Sequence, residues 1–114
     1  MATKINEVYV VRKSDVILSV KIGNAQIGSS LVKLDNKEIS RGEIKDLIIG
    51  NGSDIIGKTL SIKTVITDVS DKTNVLTVQY TLKGGETDKN YDLKDEVSEE
   101  GDSVIFRANF EFQG

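Results

Sequence analysis

Cysteine, histidine, proline and tryptophan are all absent from this chain of 114 residues. Without cysteine there is neither a disulfide nor a thiolate metal site. Without histidine, a zinc site would need carboxylates alone, a donor set that zinc seldom uses. The same gaps remove Ser-His-Asp and Cys-His nucleophile systems and leave acid–base chemistry to carboxylates, Lys or Tyr. No cofactor is implied by what remains. The lack of proline excludes polyproline recognition segments within the chain. No apolar run approaches the roughly 20 residues of a membrane-spanning helix. Residues 1–7 carry no apolar core of a signal peptide, so the chain reads as cytosolic or as the mature segment of an exported protein, with the compartment left open.

Positive charge is also in short supply. Fifteen Lys and Arg face eighteen Asp and Glu, for a net charge of −3 and a pI near 5.0. That balance favours solubility and gives no reason to expect nucleic acid or an anionic membrane as partner. With 38% hydrophobic and 29% charged residues, the length suits one domain spanning residues 1–114 around one core.

What the chain does have is alternation. Residues 7–11 are β-branched and aromatic, as a first strand would be. Val16, Leu18, Val20 and Ile22 then recur with period 2. A third strand is expected over residues 26–34, followed by a tight turn at Asp35-Asn36-Lys37 after which Glu38 and Ile39 pair back. Residues 40–50 read either as a short helix opened by a Ser40-Arg41-Gly42-Glu43 capping box or as a buried strand at Leu47-Ile48-Ile49. Residues 50–54 read as a loop. Leu60, Ile62, Thr64 and Ile66 face one way, as do Leu76, Val78, Tyr80 and Leu82. These two runs flank a short polar turn at residues 70–74, which predicts a β-hairpin. Residues 86–102 are polar and acidic, a loop with at most a short edge strand at Tyr91 and Leu93. Val104, Phe106, Ala108, Phe110 and Phe112 close the chain as a long strand central to a sheet.

The expected fold is therefore all-β: a single-domain antiparallel β-sandwich of about seven to nine strands. An immunoglobulin-like topology is favoured over a small barrel, although the Cys…Trp…Cys core of antibody domains is missing.

One motif competes with this reading. Residues 52–59, Gly-Ser-Asp-Ile-Ile-Gly-Lys-Thr, match the phosphate-loop pattern G-x-x-x-x-G-K-[ST]. In a nucleotide site the loop must open a helix, whose N-terminus completes the phosphate cradle. The residues from Thr59 onward are β-branched and alternate instead, so Gly50, Gly52 and Gly57 read as turn-formers in a loop that feeds a strand. No nucleotide site, and no enzyme, is expected.

The candidate binding features are modest. Asp88, Asn90, Asp92 and Asp95 are oxygen donors of the kind calcium takes, but they do not match the EF-hand spacing. Four of the six aromatics, Tyr80, Phe106, Phe110 and Phe112, lie on apolar strand phases and are expected in the core. Tyr9 and Tyr91 remain as exposed platforms. Val65, Val75 and Ile105 are apolar on otherwise polar phases, either exposed together as a contact patch or covered by a loop. The function expected is thus a non-catalytic module for protein contact or self-assembly, presenting Val65, Val75, Ile105, Tyr9 and Tyr91, with a homo-oligomer as one form of it. The alternative is a small domain that binds calcium or carbohydrate at the loops around residues 50–58 and 86–102.

Overall fold

The computed structural model describes residues 3–114. Its elements, in chain order, are β1 (Lys4–Val10), β2 (Asp15–Ile22), β3 (Ile27–Leu34), β4 (Lys37–Gly42), β5 (Leu47–Asn51), the single helical turn α1 (Gly52–Ile55), β6 (Thr59–Thr67), β7 (Val75–Lys83), β8 (Lys89–Glu96) and β9 (Ser103–Gln113). The strands form a five-stranded sheet in the order β1-β9-β6-β3-β4 and a four-stranded sheet in the order β5-β2-β7-β8. The two sheets stack as a sandwich, not a barrel.

Period-2 alternation decides which side chains meet between the sheets. Leu60, Ile62 and Ile66 from β6 and Phe106, Ala108, Phe110 and Phe112 from β9 are buried against Val16, Leu18, Leu76, Val78, Tyr80 and Leu82 of the opposite sheet. Each large apolar side chain so buried contributes about 1.5–3 kcal/mol. The four aromatics expected in the core are all there. β9 lies between β1 and β6, and so is internal to its sheet as its apolar face suggests.

The turn at Asp35 and Asn36 also forms as expected. Both residues adopt positive φ, 48° and 67°, and β4 returns antiparallel along β3, a left-handed two-residue turn that suits the strand twist.

Four local expectations are corrected. First, β6 and β7 are not a hairpin. β6 pairs with β3 and β9, whereas β7 pairs with β2 and β8, so residues 68–74 cross from one sheet to the other. Buried Gln26 holds that crossing: its Oε1 accepts from the amides of Val69 at 2.7 Å and Ser70 at 3.0 Å, and its Nε2 donates to the Thr73 carbonyl at 3.2 Å. Second, β1 runs parallel to β9, so the sandwich is not purely antiparallel. The strand order departs from the immunoglobulin one at this end, because β8 and β9 lie in different sheets whereas the last two immunoglobulin strands are neighbours. Third, residues 89–96 form a full edge strand, since Leu93 opposite Val78 and Tyr91 opposite Tyr80 are enough to seat it on β7. Fourth, of the two readings of residues 40–50 the strand is the one that forms, as β5. The helical turn comes later, at residues 52–55, where a loop was expected.

Candidate functional site

The phosphate-loop sequence can be judged from where its backbone donors go. The Asn51 carboxamide caps α1 by accepting from the Ser53 amide at 3.0 Å. The Gly52 amide donates to the Ser14 carbonyl, that of Gly57 to Phe112 and that of Lys58 to Ile55. The Thr59 amide donates to the Asp35 carboxylate at 2.8 Å as it enters β6. Five amides of the motif are thus spent inside the protein, and the helical turn precedes the Gly-Lys-Thr instead of following it. The arrangement has no cradle for a phosphate. The glycines serve two purposes. Gly57 adopts φ +84°, whereas Gly52 is needed for room, because a Cβ there would run into the Arg12 carbonyl oxygen.

The acidic donors do not converge either. In a strand, Asp92 and Asp95 point to opposite faces. Asp92 accepts from the Gln79 carboxamide at 3.0 Å, Asn90 from the Thr81 hydroxyl at 2.7 Å and Asp88 from the Gly84 amide at 3.2 Å. Among the described residues no group of three or more carboxylates is placed to hold a metal ion.

The two tyrosines offered as platforms are not exposed. Tyr9 lies in the core, edge-on to Phe112 at 6.3 Å, with its hydroxyl accepting from the Gly85 amide at 3.0 Å. Tyr91 is half-buried, its ring 4.9 Å from that of Phe110. Burial raises both phenol pKa values above the ordinary tyrosine range, with nearby Asp88 adding to the effect at Tyr9 and Glu7 at Tyr91. Each packs on an aromatic ring of β9, a contact that local sequence does not announce.

Val65 and Ile105 behave differently. They stand directly opposite one another on β6 and β9, on the outer face of the five-stranded sheet, 37% and 44% exposed. Val75 does not join them. It lies on the other sheet, opposite Glu96 and half-buried. Its place is taken by Ile27, 65% exposed one row away, opposite Thr67.

Beside this apolar group lies a feature that sequence reasoning missed. Register sets one outward residue of each strand abreast across the whole sheet: Arg41 beside Leu31, Leu31 beside Lys63, Lys63 beside Arg107 and Arg107 beside Lys4. Lys33 stands in the next row, opposite Ser61. Lys4, Leu31, Lys33, Lys63 and Arg107 line a shallow concavity of about 350 Å³, with Arg41 outside it. Arg41 is bound to Glu38 at 2.6 Å, and this hydrogen bond holds the Glu38 carboxyl below the usual carboxylate range. Among the described residues that is the only ion pair: Lys33 faces Glu38 across β3 and β4, and Lys4, Lys63 and Arg107 continue the cationic strip without an ion pair of their own.

A second concavity, of about 560 Å³, opens at the seam where β4 hands over to β5. β5 pairs with β2 only along Asp15–Leu18, and beyond it one main-chain bond from the Val20 amide to the Ile44 carbonyl, with the Asp46 amide donating to the Ser19 hydroxyl, continues that edge. Val20 and Ile22 form its half-buried floor.

No protein-family model, no curated protein and no solved structure matches this chain.

Proposed function

We propose that this protein is a non-catalytic β-sandwich that works by binding protein, a different chain or another copy of itself, through the outer face of its five-stranded sheet. One observation carries the reading: the exposed Val65–Ile105 pair lies immediately beside the unpaired Lys63–Arg107–Lys4 row. An apolar centre flanked by charge is the anatomy of a protein interface, where the centre is desolvated and the rim sets orientation and encounter rate. The calcium and carbohydrate alternatives have neither a converging carboxylate set nor an exposed aromatic platform to support them.

The test is a paired capture experiment, with the wild type and a Val65→Glu/Ile105→Glu variant as baits. A protein retained by the wild type, whether another chain or a further copy of this one, is expected to fall at least about tenfold on the variant, with far-UV circular dichroism unchanged. A retained set that is the same for both baits overturns the reading.

A further inference from the structure

We infer that the cationic concavity receives the acidic turn at residues 97–102 of a second copy, so that the chain assembles head to tail. This rests on the reading of the same face as a protein-binding surface, and it names the partner.

Charge is strongly segregated along the chain. Residues 86–102 contain eight acids and two lysines, a net −6, while the remainder carries +3. The fold places the two signs apart. The positive strip occupies the outer face of the five-stranded sheet, whereas β8 forms the far edge of the other sheet. The turn after β8 stands at one end of the sandwich, tied there by the Gly101 amide on the Asp68 carbonyl and the Val97 amide on the Asn74 carbonyl. Glu99 and Glu100 project from it, exposed. Along β9 the turn ends five residues before Arg107, about 17 Å at ~3.3 Å per residue, and within one chain it makes no ion pair with the strip.

Like charges set directly abreast on neighbouring strands are unfavourable, and Lys63, Arg107 and Lys4 are three in a row. An anionic occupant relieves that cost. Val69, exposed beside the acidic turn, supplies an apolar side chain to meet Val65 and Ile105. The strip lacks the aromatic side chains that single-stranded nucleic acid stacks upon, and the acidic segment repels a phosphodiester backbone. Because the turn and the strip are different surfaces, the contact is heterologous, and successive copies add in an open chain or close as a ring.

The experiment measures average mass by light scattering over a concentration series. It uses about 0.01 M salt, where charges act over ~30 Å, and about 1 M, where they act over ~3 Å. The wild type should exceed its monomer mass of 12.5 kDa at low salt and return to it at high salt. Lys63→Gln/Arg107→Gln and Glu99→Gln/Glu100→Gln should each raise the half-association concentration by about tenfold. An equimolar mixture of the two, each supplying the surface the other lacks, should form a pair of twice the monomer mass and nothing larger. A wild type that stays monomeric at low salt, a face variant that assembles like wild type, or a mixture that stays monomeric overturns the inference. A monomeric wild type that binds heparin or an oligonucleotide assigns the strip to a polyanion and also overturns it. If instead the wild type is monomeric and Lys63→Gln/Arg107→Gln loses a captured partner, the second copy is overturned and the binding face stands. Indifference of capture to those substitutions overturns the face itself.

Discussion

Thr64 sits on an apolar phase of β6 with its hydroxyl at the centre of a buried chain. Its Oγ1 lies 2.8 Å from the Ser30 hydroxyl and 2.7 Å from the Tyr80 hydroxyl, joining β3 and β6 of one sheet to β7 of the other. Thr64→Val keeps the shape but strands two buried hydroxyls, and should cost about 1–3 kcal/mol in urea unfolding. Tyr80→Phe leaves the Ser30–Thr64 bond intact and should cost about 1 kcal/mol. Burial pushes the Tyr80 pKa from 10.0 up to about 12. Between those values the unfolded tyrosine has lost its proton and the folded one has kept it. The contribution is therefore complete below pH 10 and is lost as pH rises toward 12, with a total of roughly 2–3 kcal/mol. Unfolding measured from pH 8 to pH 11 should show stability falling, and the fall should be smaller in Tyr80→Phe. At Gly52 and Gly57 the two roles of glycine separate. Gly57→Ala meets open space at positive φ and should cost about 1 kcal/mol, whereas Gly52→Ala forces the backbone at Arg12 to move and should cost several times more in the same assay.

Among the elements, the link between β6 and β7 shows how a correct strand assignment can give a wrong pairing. Both strands are where alternation places them, and residues 68–74 are polar and turn-rich, as a hairpin connection would be. The deciding group is Gln26, more than 40 residues away, whose three hydrogen bonds shape the segment into a crossing between sheets. Gln26→Ala leaves those backbone groups unpaired and should lower stability by about 2–3 kcal/mol, with hydrogen exchange accelerated first in residues 68–74. The edge strand β8 was hidden for a related reason. Its side chains are mostly polar, and it holds its place through main-chain pairing with β7 and the inward Tyr91 and Leu93.

For the molecule as a whole, the first and last strands, β1 and β9, run side by side and parallel, and an acidic chain carries a positive face. Neither magnesium–ATP nor millimolar calcium should raise the thermal midpoint, since a ligand selective for the native state would do so. A shift with ATP would contradict the spent amides of residues 52–59, and a shift with calcium would contradict the dispersal of Asp88, Asp92 and Asp95.

What the sequence determined by itself was local: the all-β class, the positions of the strongly alternating strands, and most of the side chains that turn inward from them. Each depends on a two-residue period and on turn chemistry that operate over a few residues. The tertiary structure decided partnership and register, which depend on contacts between residues remote in the chain. Val65 and Ile105 were visible as apolar residues out of phase, but their adjacency was not. Lys4, Lys63 and Arg107 look scattered in the sequence. They become a surface because β1, β6 and β9 pair in one register, and a shift of one residue would turn them into the core.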